Sequence, residues 1–193
     1  MSTYTAPTAA HSHAGHRVQW TTWAGDGLET ATIRWENEGF TITGVVSDAP
    51  GREHFEYVLR LTAGWQLRQF LLFRDLDEPD LWLATDGSGR WGEMNGAHRT
   101  ELDGCYDVHL ACTPLTHTLP IRRIPLLQGD SADIPVALID PDTLAVRADA
   151  QRYTRLGSHS WRFEQLGSDT NVEFTVDEVG LVVDYPSLFR RLS

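Results

Sequence analysis

Cysteine is scarce. Cys105 and Cys112 are the two in 193 residues, too few for a disulfide framework, and their C-x6-C spacing matches none of the common zinc patterns. Both are read as reduced, buried side chains. Long apolar runs are missing too: no stretch approaches the ~18 residues that a spanning helix needs. Residues 1–16 have neither the basic start nor the apolar core of a secretion signal, so the expected compartment is the cytoplasm. Positive charge is in short supply, with 16 Lys and Arg against 27 Asp and Glu and a net charge of −11. No basic stripe interrupts this background, which would repel a phosphate backbone, so nucleic acid is not an expected partner. G-x-S-x-G, H-E-x-x-H, C-x-x-C and Gly-rich phosphate loops are all absent. No cofactor and no metal is expected, and an enzyme is not the leading reading.

What the chain does have is tryptophan and alternation. Seven tryptophans, Trp20, Trp23, Trp35, Trp65, Trp82, Trp91 and Trp161, can each bury on the order of 150–250 Å². They either fill a large core or face a ligand. Apolar residues recur with period two at Ala31, Ile33 and Trp35, at Phe55, Tyr57, Leu59 and Leu61, at Trp161 and Phe163, and at Val172, Phe174 and Val176. Turn residues separate these runs at Gly25-Asp26-Gly27, Asn37-Glu38-Gly39, Ala49-Pro50-Gly51, Thr62-Ala63-Gly64, Asp86-Gly87-Ser88-Gly89 and Gly167-Ser168-Asp169. The expected fold is mostly β, a strongly curved antiparallel sheet or partly closed β-barrel, with few short helices. Candidate helical stretches are Gly104–Leu110, Leu119–Leu126 and a closing turn at Ser187–Leu192. The length suits one domain over 17–193. Residues 1–16, rich in Ser, Thr, Ala and Pro, read as a disordered tail, and His11, His13 and His16 within it as solvated rather than metal-bound. Leu81-x-Leu83-x-x-Asp86-x-x-Gly89-x-Trp91 echoes Val172-x-Phe174-x-x-Asp177-x-x-Gly180-x-Val182. Each reads as a strand, an Asp-x-x-Gly turn and a return strand on either side of a proline-rich segment.

That segment, Thr113-Pro114-Leu115-Thr116-His117-Thr118-Leu119-Pro120-Ile121-Arg122-Arg123, is where chemistry is expected. Each proline fixes its own φ and pushes the preceding residue toward extended conformations. On an extended chain Arg122 and Arg123 leave on opposite faces. The inward one either pairs with a carboxylate such as Asp103, Asp107 or Asp184, or presents a bidentate fork to an anionic head group. Arg155 and Tyr153 invite the same reading, and Tyr185 sits in a closing segment near the C-terminus. Asp107 and His109, with His117 nearby, would serve as base and orienter only if they converge in one cleft.

This segment, together with Gln151-Arg152-Tyr153-Thr154-Arg155-Leu156 and Gly180-Leu181-Val182-Val183-Asp184-Tyr185-Pro186, resembles the bacterial "putative glycolipid-binding" family. The resemblance runs from about Trp20 to Arg191. It departs at Leu115 and His117, where that family is expected to carry Phe and Asn. It implies a strongly curved sheet similar in shape to periplasmic carriers that shield lipoprotein acyl chains and to mycobacterial lipid carriers. The leading reading is thus a binder that holds an amphiphile, a glycolipid or lipid, in a Trp-rich concavity. Arg122, Arg123, Arg155, Tyr153, Trp91, His117 and Tyr185 are its expected ligand-binding residues, and transient contact with a membrane surface goes with it. Two other readings stay open: a structural or partner-binding β module using an exposed sheet edge, and a hydrolase or isomerase on a lipid or sugar using Asp107, His109 and His117.

Overall fold

A computed structural model describes residues 4–49, 52–74 and 78–192. Strands β1 (His16–Thr22), β2 (Leu28–Glu36), β3 (Gly39–Ala49), β4 (Arg52–Thr62), β5 (Leu67–Phe73), β6 (Leu81–Thr85) and β7 (Trp91–Glu93) form an antiparallel meander. Strand β8 (Asp107–Leu110) and helix α1 (Thr118–Arg123) follow. A second meander comprises β9 (Ser131–Ile139), β10 (Val146–Arg155), β11 (Ser160–Gln165), β12 (Asn171–Val176), β13 (Val182–Tyr185) and β14 (Phe189–Arg191). The two meanders join through β1 and β14, so the described strands make one sheet in the order β7-β6-β5-β4-β3-β2-β1-β14-β13-β12-β11-β10-β9-β8. Among the described strands, only β8 and β9 pair in parallel. A parallel pair needs a crossover, and the proline-rich segment and α1 supply it.

The sheet is curved but not closed, since β7 and β8 are its two edges. Register shifts at Val46/Ser47, Arg60/Leu61 and Thr175/Val176 bend and twist the strands as bulges do. They curl the sheet until β8 approaches β5. Neither edge offers a long open template for another chain. Every residue of β8 is buried, and β7 has three residues, with Gly92 bridged to His98.

The inward side chains of β1–β6, with Trp91, Leu110, Leu115 and Leu119, form one core. Ile134 and Val136 of β9, Tyr153 of β10 and the inward side chains of β11–β13, with Tyr4 and Ile121, form a second, while Ala137 and Ile139 at the other end of β9 join the first. Helix α1 lies between the two, Leu119 in one and Ile121 in the other. Part of the leading segment expected to be a tail is packed: Trp161 Nε1 donates to the Tyr4 hydroxyl at 2.8 Å, Ala10 is buried, and His11 lies 5.3 Å from the Trp35 ring. The apolar Tyr4 and Ala10 cover sheet surface that would otherwise face water.

The turn chemistry is as expected at the two Asp-x-x-Gly sites. Asp86 Oδ1 accepts from the Ser88 and Arg90 amides, and Asp177 Oδ1 accepts from those of Val179 and Leu181. Gly89 and Gly180 sit at φ +93° and +88°, a region glycine enters without steric cost. The expected Pro50-Gly51 turn lies outside the described residues. Two of the three helical expectations are corrected, because Gly104–Leu110 contains β8 and Ser187–Leu192 contains β14. In both, pairing to a neighbouring strand overrides weak local preference.

Candidate functional site

The proline-rich segment is helical: the candidate helix at Leu119–Leu126 is found as α1, while the extended path assumed for Arg122 and Arg123 is not. Pro114 has helical φ and ψ of −77° and −14°, and Leu115–His117 forms a 3₁₀ turn running into α1. Thr113 Oγ1 accepts from the Leu115 amide at 3.0 Å. Pro120 falls in the first turn of α1, where a backbone donor has no intrahelical partner to lose. Arg122 and Arg123 consequently diverge as helix neighbours, not to opposite faces of a strand.

All three candidate arginines are occupied within the fold. Arg122 Nη1 donates to the carbonyls of Thr5, at 2.8 Å, and Val179, and its guanidinium lies 4.2 Å from the centre of the Trp65 ring. Burial lowers its pKa to about 10. Arg123 grips the buried Asp107 with Nη2 at 2.6 Å and Nε at 3.2 Å, the carboxylate-pair reading. Arg155 donates to the carbonyls of Leu126, at 2.8 Å, and Gly157, at 3.2 Å. The sequence cannot show these carbonyl partners, because any residue supplies a carbonyl.

Tyr153, His117 and Tyr185 do come together, but in a sealed interior. His117 Nδ1 lies 2.7 Å from the Tyr153 hydroxyl, and its ring is 5.1 Å from Tyr185 and 5.0 Å from His109. Phe163 and Phe174 complete the cage. Burial holds His117 well below the ordinary imidazole range and His109 down to about 4, so both rings are neutral at neutral pH. The two histidines of the hydrolase reading converge, while Asp107 serves Arg123. Trp91 is also buried, its Nε1 donating to the Cys105 carbonyl at 2.8 Å.

The concavity opens elsewhere. A cleft of about 290 Å³ lies between strands β1–β4, the chain after β8 and the β9–β10 turn. Trp20, Leu28, Val46, Phe55 and Phe189 give it apolar walls. Cys112, Pro141 and Asp142 form one side and also wall a second depression of about 530 Å³ that reaches Arg147. The Cys112 thiol, pushed up to about 12 by burial, is not a nucleophile at neutral pH. At the lip, His54 Nε2 meets Asp142 Oδ1 at 2.7 Å, and Arg74 donates to the Asp142 carbonyl at 3.1 Å.

Inside the cleft is one buried carboxyl, Glu29, 4% exposed. Thr113 Oγ1 lies 2.6 Å from its Oε2 and 2.7 Å from its Oε1, and the Tyr57 hydroxyl donates to Oε1. Tyr57 reaches it from β4 by crossing β3 at Gly44, where a Cβ would collide with the Tyr57 ring. Burial raises the Glu29 carboxyl from 4.5 to about 7, against the two hydroxyls that favour its ionised form. The sequence reading missed this group, although a signal was present: Glu29 occupies the same alternation as the inward Ala31 and Ile33.

No helix among the described residues is long and apolar enough to cross a membrane. No functionally curated protein matches the chain. A solved structure that does is the crystal structure of a DUF1089 family protein from Pseudomonas aeruginosa, 34% identical over 85% of this chain and 92% of that one, with a TM-score of 0.73. The model of the family described as "Putative glycolipid-binding" matches residues 17–191, nearly the whole length, and the chain belongs to that family.

Proposed function

We propose that the protein binds an amphiphile, with an apolar segment of the ligand in the cleft between β1–β4 and the β9–β10 turn. The observation that carries this reading is the cleft itself, an opening in the concave side of the sheet walled by Trp20, Leu28, Val46, Phe55 and Phe189. Its volume of about 290 Å³ falls just below the ~300–1,000 Å³ usual for small-molecule sites. It accepts one ring or a short alkyl segment and leaves the remainder of the ligand outside. Each buried methylene contributes about 0.8 kcal/mol. The family description supports a glycolipid as the ligand class. Arg122, Arg123 and Arg155 are engaged by the fold, so the contacts proposed here are the cleft residues in their place.

Native mass spectrometry of protein purified from its own host, followed by solvent extraction and lipid analysis, tests the reading. A stoichiometric amphiphile that is lost in Val46→Trp, which fills the cleft, is the expected result. An apo mass that glycolipids and fatty acids leave unchanged would overturn it.

A further inference from the structure

We propose that Glu29 is the head-group recogniser of this cleft, accepting a hydroxyl of a neutral, sugar-like head, and that its acidic surroundings disfavour phosphate and carboxylate heads. The inference rests on the amphiphile-binding reading and adds to it a specificity.

The acceptor is incompletely satisfied. An ionised carboxylate offers about four lone-pair sites. Two hydroxyls reach Glu29, from Tyr57 and Thr113, and each has a single proton. The Tyr57 proton goes to Oε1, and the one Thr113 proton is shared between Oε1 and Oε2. Oε2 thus keeps acceptor capacity in a group that lines the cleft. A ligand hydroxyl can use it, whereas a phosphate or carboxylate would add like charge to a site with little water to screen it.

The charges around Glu29 are acidic apart from Arg74 at the lip, which donates to the Asp142 carbonyl and pairs with Asp80. Cys112 and Tyr57 are its closest titratable neighbours, both with pKa values raised by burial. Farther out the lining residues add Asp26, Asp142 and His54, the last held by Asp142. The chain contains no lysine, so every permanent side-chain cation is an arginine, and none is among the described lining residues of this cleft. Sugars also suit an aromatic rim, since the apolar face of a ring packs on a phenyl surface such as that of the half-buried Phe189.

A hydroxyl donor binds the ionised carboxylate better than the acid. With the Glu29 carboxyl at about 7, affinity for a neutral glycoside should rise about tenfold between about pH 6 and about pH 8.5. The test titrates the full chain with octyl β-glucoside, octyl phosphate and octanol, each below its micellar concentration, following tryptophan fluorescence. The glucoside is expected to bind at least about tenfold more tightly than the phosphate, with an affinity that rises with pH. Octanol affinity should not change with pH. Glu29→Gln should weaken glucoside binding, remove its pH dependence and leave octanol unaffected. Thr113→Val is the second variant: losing that hydroxyl moves the midpoint of the glucoside pH dependence upward. Octanol binding without a preference for the glucoside over the phosphate, or a Glu29→Gln protein that keeps the wild-type pH profile, overturns the head-group assignment and leaves the cleft reading standing. If none of the three binds, both fall together.

Discussion

Replacing Glu29 by Gln should stabilise the protein, and increasingly so as pH rises. The folded state holds this carboxyl at about 7, against 4.5 ordinarily. Between those values the folded chain binds more protons than the unfolded chain, so stability falls with rising pH. The contribution is fully present below about pH 4.5, is lost progressively as pH rises, and is gone above about pH 7. Two and a half pH units at 1.36 kcal/mol each amount to about 3 kcal/mol. The group is 4% exposed, so solvent screening removes little of it. Glutamine keeps an oxygen for Tyr57 and Thr113 but cannot ionise. For a chain of this length, about 3 kcal/mol corresponds to roughly 6–12 °C in Tm. Thermal unfolding followed by circular dichroism from about pH 4.5 to about pH 8.5 should show variant and wild type diverging by that order, with the variant higher at the alkaline end. A Tm difference independent of pH would refute the argument. A natural sequence that keeps a destabilising carboxyl at this depth is consistent with a functional role for it.

Arg123→Met leaves Asp107 buried without its partner and should cost about 3–5 kcal/mol in urea denaturation, while Asp107→Leu combined with Arg123→Met recovers most of the loss. Gly44→Ala drives a methyl group into the Tyr57 ring and should cost about 1–3 kcal/mol; near-ultraviolet circular dichroism should report the displaced tyrosine. The acid limb of stability has the opposite sign from Glu29. His109 and His117 are held neutral by burial, so the unfolded chain binds more protons and stability is lost as pH falls from 6.5 toward about 4. His117→Asn, which can still hydrogen-bond the Tyr153 hydroxyl as donor or acceptor, should flatten that limb in the same thermal series.

Strand alternation and turn chemistry were legible because both are local. The period-two pattern at Phe55, Tyr57, Leu59 and Leu61 marks one face of β4 whatever lies beside it, and the Asp86 and Asp177 turns close through hydrogen bonds spanning a few residues. The family resemblance, carried by the segments 113–123, 151–156 and 180–186, was legible for the same reason: it is a property of order along the chain. The site was not. Alternation says which way Glu29 points but not what stands opposite, and its partners Tyr57 and Thr113 lie 28 and 84 positions away. An inward arginine was expected to meet a carboxylate or an anionic head group, yet the partners of Arg122 are carbonyls 117 and 57 positions distant, and carbonyls leave no mark in a sequence. The amino-acid sequence thus determined the β character and the turns. Only the tertiary structure decided that the arginines are internal staples and that a buried glutamate opens onto the cleft, because partner choice across a curved sheet depends on strand order and register, which local periodicity does not encode.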